Sequence, residues 1–221
     1  MEEQKKTLFS VGHSNQTVES FLEEIKSFGI DCIVDVRSVP YSKFTPQFNA
    51  ETLSAVLKSN GIAYLPFGLE FGARRSDSFD YDNLLGAGFP DNQVIFELAA
   101  QSQAFLRGVK RIQNGLQRGY HIALMCSEAD PLDCHRFSLV SRYFFDHGYD
   151  VCHILSKGEY ASHLSLQNKM IAEYIQKGKL PEVDLMFGEY TLEDQIRDAY
   201  RLKNKAIGYK TEMTAEMLEY A

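Results

Sequence analysis

The chain has no tryptophan, only six prolines among 221 residues, and no surplus of positive charge. Its 23 lysines and arginines face 30 aspartates and glutamates, for a net charge of −7. A broad basic face that coats nucleic acid is thereby disfavoured, although a local basic pocket is not. No apolar run approaches the length of a membrane span. The opening MEEQKKTLFSVGHS places acids and lysines ahead of an apolar stretch, Leu8 to Val11, that is too short for a signal core. A soluble, cytoplasmic chain with no membrane partner is expected. The four cysteines, Cys32, Cys126, Cys134 and Cys152, are then expected as thiols or ligands rather than disulfides.

What is present is alternation. Thr7 to Gly12 reads as a strand, followed by capping oxygens at Ser14, Asn15 and Thr17. Phe21, Leu22, Ile25 and Phe28 then share a helical face that stops at Gly29. Ile30 to Val36 is a nearly continuous apolar run, as in a strand buried on both faces. Asn49 suits the cap of a helix carrying Leu53, Val56 and Leu57, and Ile62 to Leu65 is a third strand. Pro66 to Pro90 is glycine-rich and irregular, the mark of a functional or flexible loop. Asp91 to Gln117 is helical in one or two pieces, Tyr120 to Met125 a strand, Cys134 to His147 a helix and Asp150 to Leu155 the last strand. This order predicts an α/β fold, a doubly wound, mostly parallel sheet of about five strands over residues 1–159. From residue 160 onward, helical runs around His163–Ile175 and Leu192–Lys203 predict a C-terminal helical extension packed on that domain.

Open parallel sheets bind ligands beyond the carboxyl ends of their strands. His13, Ser14 and Asn15 follow the first strand, and Asp35 and Arg37 lie at the end of the second. Cys126 and Glu128 follow the fourth, with Cys134, His135 and Arg136 close behind. In MCSEADPLDCHR, Asp130 and Pro131 suit an N-cap and first helical position, with Asp133 as the acidic partner of a capping box. Cys134, His135 and Arg136 then fall in the first turns, where free amides favour anions and lower a thiol pKa. Arg136 offers a planar fork to a phosphate or carboxylate. The plainer reading is that both cysteines are small buried hydrophobes. In DVRSVPYSKF, Asp35 acts as a base or orients Arg37, and Arg37 with Lys43 holds an anion; equally, Asp35 and Arg37 pair to pin the loop. Tyr41, Phe44, Phe48 and Phe67 either wall a flat ligand or lie in the core beneath the loop.

A metal is one use of the cluster. The C-x7-C spacing does not match a closed zinc site. A set drawn from Cys126, Cys134, His135 and His163 would still hold zinc or iron with an open position. Nucleotide loops of the G-x-G-x-x-G and Walker kinds, H-E-x-x-H and the G-x-S-x-G elbow are absent.

The stretches SVGHSNQTVESFLEEIKSFGIDCIVDVRSVPYSKFTPQFN, GIAYLPFGLEFGARR, ALMCSEADPLDCHR and VCHIL, with His163 downstream, resemble the bacterial and archaeal family called domain of unknown function 488. The resemblance covers residues 8–163. It implies an α/β sandwich and a site built from Asp35, Arg37, Cys126, Glu128, Cys134, His135 and Arg136, and it supplies no activity. GLEFGARR departs from the shorter L-G-G turn of the family, so the loop at 68–75 is expected to meet a different ligand.

The expected function is an enzyme using thiol or thiol-bound metal chemistry on a small anionic, nucleotide-like substrate. Cys126 serves as nucleophile or ligand, with Cys134, Glu128, His135 and Asp35 as the other catalytic groups. Arg37 and Arg136 hold the anion, with His13, Ser14 and Asn15 completing its pocket. One alternative is a nucleic-acid module using Arg74 and Arg75 on phosphates, against which the net charge argues. The other is a non-catalytic domain that senses a ligand, metal or redox state. Sulfur transfer ranks lower, because SEADPLD lacks the glycine-rich amide cradle which that chemistry uses.

Overall fold

The computed structural model describes residues 6–80, 83 and 85–212. In chain order, β1 (Thr7–Gly12), α1 (Val18–Ser27), β2 (Cys32–Asp35), α2 (Ala50–Ser59) and β3 (Ala63–Pro66) form the first half. Then come α3 (Gly68–Phe71), α4 (Phe96–Ala99), α5 (Gln103–Gln117), β4 (Ile122–Cys126), α6 (Arg142–Asp146), β5 (Asp150–Ile154), β6 (Tyr160–Ser162), α7 (His163–Gln176) and α8 (Leu192–Ile207). Six strands make one sheet in the order β3-β2-β4-β1-β5-β6. All neighbours are parallel except β5 and β6.

Helices cover both faces of this sheet, which is why CIVD and IALMC run without polar alternation. On one face Phe21 and Ile25 of α1 and Leu53 and Leu57 of α2 pack on Val11, Ile33 and Met125. On the other, Phe105, Val109 and Ile112 of α5 and Phe144 of α6 pack on Leu8, Val34 and Leu124. The helices after β1 and β2 therefore lie on one face and the helix after β4 on the other. Because β4 sits between β2 and β1, the loops part above its end and leave a crevice at the carboxyl rim.

Three elements differ from expectation. β6 adds a sixth strand, paired antiparallel to β5 across a turn in which Gly158 takes φ 76°. At three residues it is too short to show alternation. α3 gives one helical stretch to the irregular segment after Pro66. The helix expected from Cys134 begins later, as a π-helical turn over Arg136–Ser141 that continues into α6. Such wide turns recur at functional sites.

A third apolar cluster joins Leu132 and Phe137, which flank the Cys134 segment, to Leu166 and Met170 of α7 and Ala199 and Tyr200 of α8. The end of α8 is also stitched to residues 92–96. The Asn204 side chain donates to Val94 O and accepts from Phe96 N, while Val94 N donates to Tyr209 O. Gln93 Nε2 donates to the carbonyls of Asn204, Lys205 and Gly208. Among the described residues no helix is long and apolar enough to cross a membrane.

Candidate functional site

The rim is assembled by backbone before any side chain acts. Val36 N donates to Met125 O, His13 N to Cys126 O and Ser14 N to Ser127 O, so β2, β4 and β1 converge on one spot. A Cβ on Gly12 would lie 1.8 Å from Glu128 O, so only glycine allows β1 to approach this loop so closely. Asp130 accepts from Leu132 N ahead of Pro131, as its cap role predicts. Asp133 forms no capping box and instead pairs with Lys203 at 3.5 Å. The turn at 131–133 then delivers Cys134 and His135 opposite Cys126.

Cys126, Cys134 and His135 form a triad whose potential ligand atoms all lie within 4.8 Å of one another. His135 Nδ1 is 3.9 Å from the sulfur of Cys126 and 3.9 Å from that of Cys134. Its Nε2 lies 3.1 Å from Val36 O. A carbonyl only accepts, so Nε2 carries a proton and Nδ1 faces the two sulfurs, donating there when the ring is protonated and offering its lone pair when it is neutral. Cys126 Sγ donates to Glu128 Oε2 at 3.2 Å, and Arg136 N donates to Cys134 Sγ at 3.4 Å.

The two thiols are driven apart. Burial raises the Cys134 thiol, but the Cys126 S–H and the charges of Arg136 and His135 outweigh it and hold Cys134 well below the ordinary value. The Cys134 sulfur and then burial push Cys126 well above it. Burial opposes a charge on His135, yet the Cys134 sulfur and the Val36 carbonyl raise it overall. Desolvation and the Cys134 charge raise the Glu128 carboxyl. Cys134 is thus the more acidic thiol and Cys126 the one that keeps its proton, with the Cys134 sulfur and Glu128 as its two acceptors.

A cavity of about 240 Å³ opens over the triad, lined also by Arg37, Ser38, Arg74, Glu128, Ile207 and Tyr209. Asp35 and Arg37 reach this rim as a buried ion pair, with Arg37 Nε donating to Asp35 Oδ1 at 2.9 Å. Arg37 also donates to Phe48 O and to His13 Nε2, and Tyr64 donates its hydroxyl to Asp35. His13 stacks on Phe48 at 4.2 Å between ring centroids, and burial lowers its pKa to about 4, so it stays neutral. Phe48 and Phe67 are core, whereas Tyr41 and Phe44 are exposed.

Several expected roles are not realised. Arg136 does not face an anion; it is buried and donates to Glu128 O and Ala129 O, clasping the site loop from within. No carboxylate among the described residues pairs with it, and its Nε has no acceptor, so its charge acts on the adjoining Cys134. Ser14 and Asn15 line a separate cavity with Gln16, Glu24 and Ala129. His163 is not brought to the thiols. Its Nδ1 meets His153 Nε2 at 3.1 Å and its Nε2 meets Tyr200 Oη at 2.8 Å, buried at the start of α7. Arg75 is tied to Asp77, Glu70 O and Ser102, so it is not free for phosphates. Sequence reasoning missed the Val36 carbonyl, Tyr64, Ile207 and Tyr209. Backbone groups leave no residue-type signal, and the two tail residues lie in a polar stretch with no motif.

Searches of curated proteins and of solved structures found no match to the chain. The family model described as Domain of unknown function DUF488 matches residues 17–143, a stretch that holds Asp35, Arg37 and the whole Cys126–Glu128–Cys134–His135 set. That match spans more than half of the chain, and the chain belongs to this family.

Proposed function

We propose that the chain is an enzyme whose Cys126, Cys134 and His135 hold a zinc or iron dication and act on a small anionic substrate in the rim cavity. The observation that carries this reading is the position of His135, whose Nδ1 faces two sulfurs at 3.9 Å while Nε2 is fixed on a main-chain carbonyl. Sulfur and nitrogen ligands of one tetrahedral zinc stand about 3.6 Å apart, so the triad needs only a small contraction. A carbonyl holding the outer nitrogen is the usual support of a metal-bound imidazole.

Charge favours the same reading. Two thiolates would balance a dication, and Arg136, clasping the Glu128 loop, carries the charge opposite to Glu128 whenever that carboxylate is ionised. Cys126, Cys134 and His135 would hold the ion as three protein ligands, and the bound dication would supply a Lewis acid to the substrate. Glu128, 3.2 Å from Cys126 Sγ and with a raised pKa, takes the proton that the thiol gives up and exchanges it with the substrate. Asp35 and His13 act through Arg37, whose guanidinium they hold at the cavity wall.

The test is the metal content of tag-free protein purified without chelator. About one zinc or iron per chain is expected, lost in Cys134→Ser and in His135→Ala while far-ultraviolet circular dichroism is unchanged. Chelation is expected to lower the melting temperature of the wild type and not of those variants. A metal-free chain with one thiol that alkylates rapidly at neutral pH would overturn this reading. It would install a Cys134 thiolate beside a protonated His135 as nucleophile.

A further inference from the structure

The cavity over the triad has an unequal lining. Val39, Ala73, Ile207 and Tyr209 supply its apolar lining, and Arg37, Arg74, Glu128 and Asp133 its charged groups. Arg37, also on the wall, is neutralised by Asp35, and Arg75 by Asp77. Arg74 is exposed and has no carboxylate partner among the described residues. Its backbone N donates to Ser38 Oγ at 2.9 Å, and its guanidinium carbon lies 5.4 Å from the centre of the Tyr209 ring. Tyr209 is itself fixed, since Val94 N donates to its carbonyl at 2.9 Å and Gln93 bridges to Lys210. A charged fork in the lining of the triad's cavity is therefore held by the ring of Tyr209.

We propose that Arg74 and Tyr209 set the substrate class: a small oxyanion, carboxylate or phosphoryl, carried on a flat apolar body. Arg74 binds the oxyanion, Tyr209 positions Arg74, and Val39, Ala73 and Ile207 take the body. A cavity of about 240 Å³ is smaller than the sites of drug-sized ligands, which limits that body to about one ring. The family model ends at residue 143, so the ligands of the triad lie inside the matched segment while Ile207 and Tyr209 lie outside it. Chemistry is thus held in the matched segment and substrate choice partly beyond it. This inference rests on the rim cavity being the reaction site.

Calorimetric titration of benzoate, phenyl phosphate and acetate into the protein as purified tests it, with metal content measured on each variant. Benzoate or phenyl phosphate is expected to bind more tightly than acetate, and the better of the two identifies the oxyanion. Arg74→Ala should weaken that ligand roughly tenfold or more, the loss expected for a charge-assisted hydrogen bond. Tyr209→Leu should weaken it less, Tyr209→Phe should retain it, and Arg118→Ala, at the opposite end of the sheet, should change nothing. Unaltered binding by a fully metal-loaded Arg74→Ala protein would overturn the subsite and leave the metal centre standing. So would equal affinity for acetate and the ring compounds, or no binding of any of them. A wild type without metal would overturn the centre, while the Arg74 comparison would still decide the subsite.

Discussion

At the scale of single residues, the site depends on close approach and on one buried cation. Gly12 leaves room for the Glu128 carbonyl, which in turn accepts from Arg136. Gly12→Ala must displace that carbonyl and loosen the clasp. A loss of about 1–3 kcal/mol in denaturant unfolding is expected, together with weaker metal retention; an unchanged midpoint would contradict the geometry. Arg136 favours the Cys134 thiolate by its charge. In metal-free Arg136→Gln protein, the pH profile of Cys134 alkylation should therefore move to higher pH, provided circular dichroism shows the fold intact. Residue type and place along a strand made Cys126, Cys134, His135, Asp35 and Arg37 legible in the sequence as rim residues. Where each side chain points was not legible. Arg136 carries the right chemistry for an anion, but the π-helical turn directs it inward to two carbonyls.

At the scale of elements, long apolar runs were readable and short or polar ones were not. β2 and β4 announce themselves because both faces are buried. β6 and α3, of three and four residues, are too short for any period to show. Asn49 was legible as a cap position, yet its side chain accepts from Ser42 N and ties down the loop after β2. The attachment of α8 is likewise set by tertiary contacts, among them two buried amides, Asn204 and Gln93. Asn204→Ala leaves Phe96 N and Val94 O without their partner. A loss of about 2–4 kcal/mol is expected, with the cavity wall at Ile207 and Tyr209 released. Urea unfolding measures the first effect, and benzoate affinity the second.

At the scale of the whole molecule, three buried histidines tie stability to acidity. Burial lowers His13 to about 4 and His163 to about 3, and holds His153 well below the ordinary value. His153 and His163 lie in one chain of hydrogen bonds from Ser10 through Tyr200 to Gln167, joining β1, β5, α7 and α8. The unfolded chain binds a proton on each near pH 6.5, while the folded chain does not. Their contribution is intact above that pH and is lost as pH falls through the folded values. By pH 4 His13 and His163 each cost about 3 kcal/mol, a large share of the stability of a domain, and His153 acts in the same direction. Cooperative unfolding between about pH 5.5 and 4, with net proton uptake, is expected. A urea midpoint that stays flat from pH 7 to 4 would refute it.

The stitch between α8 and residues 92–96 also has a consequence in time. During synthesis Cys126, Cys134 and His135 leave the ribosome well before Tyr209, which closes the wall above them. At roughly 5–20 residues per second, several seconds separate the two events. Cys126, Cys134 and His135 are open to solution on their Tyr209 side during that interval, and any ion taken up then would be walled in only when the segment around Tyr209 docks.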